Sequence, residues 1–368
     1  MNSGYYIVGG KQFTNKIAAC IEATKVGGSV EFNYYNEVWE SIDTTATINC
    51  DLLTLYKLRA QQLRDTNDYL ILNYSGGTDS WTILNTFLTN NIFLDEVVIK
   101  WPVSAVLNGN RKVYTPDTLN SHPSNYLTEW EAFIQEDLKL VNKLSPKTKI
   151  TIFDFSPQML TVPKVDMNNL PSNHFISLPS VIRMGSKTET ETRMEDQGKK
   201  VGSIYGVDKP LLIKHGNECF LRFNDGGAQV SGRNIIYFFW APDMPIVILE
   251  MAHRMFEWFQ QNKQFQNVID AKHSNYIEFT KIANKVCCPQ YNANRFQTNK
   301  PTSVLNNEKD TWCKLIPEYA GPFNKWNAVL SSRFNLIDKK FLNTLNNKIQ
   351  SIRVIDTKLF KIGTFDDS

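Results

Sequence analysis

Six consecutive residues, Ser75-Gly76-Gly77-Thr78-Asp79-Ser80, carry the strongest chemical signal in the chain. Gly76 and Gly77 permit unusual dihedrals and put no Cβ between the backbone and an approaching ligand, so the N–H groups can cradle phosphate or pyrophosphate. Ser75 and Ser80 add hydroxyl donors at either end. Asp79 would repel a phosphate that it faced directly, and it suits Mg²⁺ binding or bracing of the loop. No Lys follows the glycines, which sets the segment apart from phosphate loops of the GxxxxGKS/T kind. A second cluster, Gly206-Val207-Asp208-Lys209-Pro210, offers complementary groups. Lys209 can neutralise charge developing on a transferring phosphoryl group, and Asp208 can ligate Mg²⁺ or contact substrate. A solvated turn is the other reading of Asp-Lys-Pro.

Both clusters need a scaffold that ends strands in loops. Tyr69-Leu70-Ile71-Leu72 is a short apolar run bounded by turn-formers, the pattern of a buried parallel strand. Beyond Asp79, residues Trp81, Ile83, Leu84, Phe87 and Leu88 recur at helical spacing until Asn90-Asn91. The hexapeptide is therefore the loop of a strand–loop–helix unit, with backbone N–H groups at a helix N-terminus. Glu96–Lys100, Lys149–Phe155 and Val201–Gly206 are predicted as further strands. Between them lie a helix from Pro123 to Leu144, with Tyr126, Trp130, Phe133, Ile134, Leu138 and Val141 facing the core, and a polar helix over 188–200. This alternation predicts an α/β fold with an open, mostly parallel, twisted sheet over residues 66–213. An accessory α+β segment is expected over 1–65, with its last helix, Asp51–Arg64, leading into the Tyr69–Leu72 strand. A mixed, mostly helical region is expected over 214–368, shaping a second-substrate pocket. There, Glu218–Phe223 and Asn234–Trp240 read as two strands joined through Gly226-Gly227, and Pro245 opens a helix to Asn262.

An SGGxDS loop after a strand resembles the signature of the PP-loop (N-type) ATP pyrophosphatases. That superfamily includes asparagine synthetase, GMP synthetase, NAD synthetase, tRNA-modifying ligases and phosphoadenylylsulfate reductase. The resemblance covers the six residues with their flanking strand and helix, and it implies the sheet of the HUP, or adenine nucleotide alpha hydrolase-like, class. It implies that Ser75, Gly76, Gly77, Asp79 and Ser80 hold the β,γ-pyrophosphate of ATP with its Mg²⁺. Thr78, at the variable position, would add at most a backbone N–H. Lys100 and Trp101, ending the second strand, become adenine-site candidates by the same resemblance, with core packing the other role for Trp101. Asp79 and Lys209 are the expected catalytic residues, and Asp79 and Asp208 the expected metal ligands.

The resemblance implies an ATP-dependent enzyme that releases AMP and pyrophosphate while adenylating a carboxylate or carbonyl acceptor, for amide or amidine formation. The amidotransferase members begin with Cys after the initiator Met, within a full glutaminase domain. Here Asn2 follows Met1 and a short segment precedes the nucleotide strand. Nitrogen is then expected from free ammonia, an amine substrate or a separate subunit. Two other classes stay open: sulfonucleotide reduction or thiolation, and a non-catalytic nucleotide-binding regulatory module.

Composition narrows the field. At 368 residues with 42% hydrophobic and 12% aromatic content, the chain can bury a large core. A net charge of +3 gives little support to a broad nucleic-acid surface, so tRNA is a weak expectation. Apolar runs fall short of a membrane span and the N-terminus lacks a signal pattern, so a cytoplasmic protein is expected. Cys20, Cys50, Cys219, Cys287, Cys288 and Cys313 form no CxxC pair, which argues against a zinc ribbon or a conventionally spaced iron–sulfur cluster. Cys287-Cys288 reads as two partly buried thiols near a helix end, with a redox pair as the competing reading. The five histidines show no HxxxH or HExxH spacing, and His253 reads as a hydrogen-bonded core residue. Arg183 and Arg193 could each reach a phosphate bidentately.

Overall fold

A computed structural model describes residues 4–101, 134–161, 178–206, 209–225, 234–270, 275–291, 313, 316–345 and 349–366. The N-terminal segment comprises β1 (Tyr5–Val8), β2 (Lys11–Phe13), α1 (Lys16–Val26), β3 (Glu31–Asn33), α2 (Asn36–Glu40) and α3 (Leu52–Thr66). Its strands form a three-stranded antiparallel sheet in the order β2-β1-β3. The α/β unit follows: β4 (Tyr69–Asn73), α4 (Thr78–Thr89), β5 (Glu96–Trp101), α5 (Gln135–Leu144), β6 (Lys149–Asp154), α6 (Leu178–Gly185), α7 (Glu189–Asp196) and β7 (Val201–Tyr205). Next come β8 (Leu211–His215), β9 (Glu218–Arg222), β10 (Ile235–Tyr237), α8 (Ile246–Gln261) and α9 (Tyr276–Cys287). The chain continues through α10 (Ala320–Phe334), β11 (Leu342–Leu345), β12 (Ile349–Ile352) and β13 (Phe360–Thr364).

The central sheet is five-stranded, all parallel, in the order β10-β7-β4-β5-β6. Numbered along the chain, this is 5-4-1-2-3: the first strand is central, and the chain winds outward first to one side and then to the other. That is the doubly wound plan. β4 is central because Leu70, Ile71 and Leu72 are all fully buried, as a strand covered on both faces requires. Around it, α3 presents Leu52, Leu55, Tyr56, Ala60 and Leu63 to the core, and Asp51 caps its N-terminus by accepting from Leu53 N and Thr54 N.

One expectation is corrected. Asn234–Trp240 is not the hairpin partner of Glu218–Phe223. Its first part forms β10, which runs parallel to β7 at the edge of the central sheet, while β9 pairs antiparallel with β8 and β13. The sheet thus takes its fifth strand from beyond Ile213, and β8 leaves the 66–213 span for another sheet. A short apolar run such as Ile235-Ile236-Tyr237 carries no record of its direction, so sequence pattern could not choose between the pairings. Of the helix expected over 123–144, Tyr126, Trp130 and Phe133 lie outside the described residues, and α5 begins at Gln135.

The buried acids and bases fix a pH dependence. Burial pushes the Tyr6, Tyr34 and Tyr56 phenols well above 10.0, the Cys20 and Cys219 thiols up to about 12, and the Cys288 thiol up to about 11. In the unfolded chain the thiols release protons near 9.0 and the phenols near 10.0, whereas the folded chain retains them. The unfolded state then binds fewer protons, and stability falls as pH rises. Burial lowers Lys16 and Arg59 and acts there with the opposite sign, but these are two groups against several. Urea midpoints are therefore expected to hold up to about pH 9 and to decline above it, with phenolate absorbance appearing together with unfolding.

Candidate functional site

All five central strands are parallel, so Asn73, Trp101, Asp154, Tyr205 and Tyr237 end at one edge of the sheet. Strand order reverses direction between β4 and β7, where the loops leaving neighbouring strands diverge and open a crevice. Ser75–Ser80 leaves β4 and Gly206 follows β7, so the loop and Gly206 flank that point.

The loop is held from every side. Gly76 has φ +74°, in the left-handed region, and a Cβ there would come within 3.0 Å of Ile134 Cγ1. Gly77 is the N-cap of α4, and no side chain caps this helix end. Ser75 N donates to Ser80 Oγ at 3.2 Å, Ser80 Oγ donates to Gly77 O at 3.2 Å, and the Ser75 and Ser80 hydroxyls lie 3.2 Å apart. The two serines thus close the loop on itself. Tyr74, just before it, donates to the buried Asp137 carboxylate of α5, and the Tyr291 hydroxyl donates to Gly76 O at 3.4 Å.

Lys209 and Asp79 form an ion pair that ties the chain after β7 to the first turn of α4. The Lys209 side chain is only 7% exposed against 24% for Asp79, so the ammonium sits behind the carboxylate. The Lys209 carbonyl accepts from Trp240 Nε1 at 3.3 Å, and Trp240 O accepts from Tyr34 OH at 2.6 Å. An N-terminal residue and the segment after β10 therefore fix where Lys209 starts. Gly206 packs against the first turn of α4: a Cβ on it would lie 2.7 Å from Asp79 Cβ and 2.9 Å from Ser80 N.

The remaining candidates are placed differently. Lys100 Nζ donates to Ser186 O at 2.7 Å, tying the end of β5 to the turn after α6. Trp101 ends β5 level with Asp154 of β6. Asp208 lies outside the described residues. Arg193 lies near Tyr69, at the amino end of β4 and so away from the loop. His253 bonds Thr44 O at 3.0 Å but is only half-buried, so the hydrogen bond expected of it is present while the core position is not. Cys287 and Cys288 are buried, and burial raises both thiols, so neither has the exposed, low-pKa character of a reactive cysteine.

Sequence reasoning missed Tyr291, Asp137 and Ile134 as supports of the loop. Tyr291 and Asp137 are single polar residues far from it in sequence, and Ile134 shows only helical periodicity. Among the described residues, no group of three or more His, Cys, Asp or Glu is positioned to hold a metal ion, and no helix is long and apolar enough to cross a membrane. In comparisons with known proteins, no family model, no curated protein and no solved structure matches the chain.

Proposed function

We propose that the chain is an ATP pyrophosphatase of the PP-loop type, with an adenine nucleotide alpha hydrolase-like sheet, that adenylates an acceptor. One observation carries this reading: the Ser75–Ser80 loop and the Lys209 ammonium meet at the switch point of a doubly wound sheet. A glycine-lined helix N-terminus there offers N–H donors and a favourable dipole to pyrophosphate. Lys209 supplies a fixed positive charge beside it.

An acceptor oxygen attacks the α-phosphorus of ATP, the bond from that phosphorus to the bridging oxygen breaks, and pyrophosphate leaves. A nitrogen nucleophile then displaces AMP from the activated carbon. Ser75 and Ser80 hydroxyls and the loop amides bind the leaving pyrophosphate, and Lys209 turns part of its charge from Asp79 to the phosphate oxygens. The donor set fits Mg²⁺, which needs only one or two carboxylates when phosphates and water complete its shell. Asp79 would hold it, with Asp208 the second candidate, and the bound ion would neutralise charge on the pyrophosphate. No observation here favours sulfonucleotide chemistry, and the burial of Cys287 and Cys288 speaks against it.

The test is α-labelled ATP with Mg²⁺ and a panel of amino acids, nucleobases and tRNA, with AMP separated from ADP. AMP and pyrophosphate are expected, stimulated by one class of acceptor. Lys209→Met is expected to cut turnover by about a hundredfold or more while the fold persists, because it removes the positive charge held beside the loop. Formation of ADP, or tight binding of ATP with no AMP under any acceptor, would refute the adenylating reading.

A further inference from the structure

We infer that Tyr291 is a positioning residue that orients the Gly76–Gly77 peptide for anion binding. The inference rests on the pyrophosphate reading of the loop and assigns one role within it.

The peptide between Gly76 and Gly77 is the softest in the loop. It is flanked by two residues without a Cβ, so it can rotate at little steric cost. Its direction matters because a planar trans peptide points its C=O and its N–H to opposite sides. Whatever holds the Gly76 carbonyl therefore aims the Gly77 N–H. The Tyr291 hydroxyl donates to that carbonyl at 3.4 Å, while Gly77 N–H points to Ser75 Oγ, also at 3.4 Å. The two contacts lie at the two ends of one peptide unit. Both are at the long end of hydrogen-bond geometry, so the N–H can be traded from Ser75 to a phosphate oxygen without losing a strong bond.

Tyr291 is itself held. Its N–H donates to Cys288 O at 3.0 Å in the turn that ends α9, and its ring meets Trp81 edge-on, with centroids 5.3 Å apart. Gln290 Oε1 accepts from Asn85 Nδ2 at 2.6 Å, and Cys287 O accepts from Tyr56 OH at 2.7 Å. Residues 287–291 thus pack against α3 and α4, and the hydroxyl of Tyr291 reaches from that brace into the loop.

The test measures binding of inorganic pyrophosphate with Mg²⁺ by calorimetry to the wild type, Tyr291→Phe and Gln290→Ala. Tyr291→Phe retains the ring against Trp81 and removes only the hydroxyl. It is expected to weaken pyrophosphate binding about five- to tenfold, the scale of one lost hydrogen bond. Gln290→Ala, which loosens the brace without touching the peptide, is expected to bind like the wild type. In ¹⁵N-glycine-labelled protein without ligand, the Gly77 resonance, identified by its absence from Gly77→Ala, is expected to shift in Tyr291→Phe and not in Gln290→Ala. Unchanged binding in Tyr291→Phe, with the wild type binding normally, would overturn this inference and leave the loop reading standing. Equal losses in both variants would assign the effect to packing of the brace and would also overturn it. A wild type that does not bind pyrophosphate would overturn the inference and the loop reading together.

Discussion

Gly206→Ala is expected to lose about 3 kcal/mol of stability, the upper end of the range for overpacking a close-packed site. The reason is geometric. The added methyl would sit 2.7 Å from Asp79 Cβ, 2.9 Å from Ser80 N and 3.0 Å from Asp79 C. Two of those atoms are backbone, so no flexible side chain can turn aside. Either the end of β7 or the first turn of α4 must move, and each carries half of the candidate site: Lys209 on one, the loop on the other. If the chain has the proposed activity, a shift of about 1 Å in the site's geometry is expected to lower kcat/KM for AMP formation by about a hundredfold. Gly185→Ala is the control, because a Cβ there meets nothing within 4 Å. Urea unfolding and AMP release on both variants check the claim. A Gly206→Ala protein with wild-type stability would show that β7 and α4 are not in contact as described.

Asp225→Ala is expected to cost about 3–5 kcal/mol, the penalty for orphaning a buried charge. The Asp225 side chain has 0% exposure and its partner Lys16 2%. The same carboxylate accepts from Tyr6 OH at 3.1 Å and from Ile355 N at 3.0 Å, and the Lys16 ammonium also donates to Arg353 O. One carboxylate thus joins β1, α1, the end of β9 and the segment before β13. Burial lowers the Lys16 pKa even with Asp225 beside it, so the ammonium depends on that partner. Removing the carboxylate leaves a buried cation with no counter-charge, and a phenol and an amide without their acceptor. The double variant Lys16→Met, Asp225→Leu is expected to recover most of the loss, since replacing both charges with apolar groups of similar volume is near neutral. A full cycle by urea denaturation measures the coupling. A loss under about 1 kcal/mol in Asp225→Ala would contradict the buried pair.

The strand–loop–helix unit around Ser75–Ser80 was legible in the sequence because its causes are local. The apolar run of β4, the glycines that take up unusual dihedrals and the helical spacing from Trp81 to Leu88 act within a few residues of one another. The helices α3 and α8 were legible for the same reason, their apolar residues repeating with the helical period. The α/β class followed from the alternation of such elements.

Which distant segments meet was decided only in three dimensions. β10 became the parallel neighbour of β7, Lys209 met Asp79 across 130 residues, Tyr291 reached Gly76 across 215, and Tyr6 met Asp225 across 219. A lone Lys, Tyr or Asp carries no periodicity, and a three-residue apolar strand does not encode its direction or its partner. Those choices fall to the sum of many burial and packing terms over the whole core, each too small to read from any one residue. Local sequence was enough for the loop and its chemical types; folding of the whole chain brought Lys209, the Tyr291 hydroxyl and Gly206 to it.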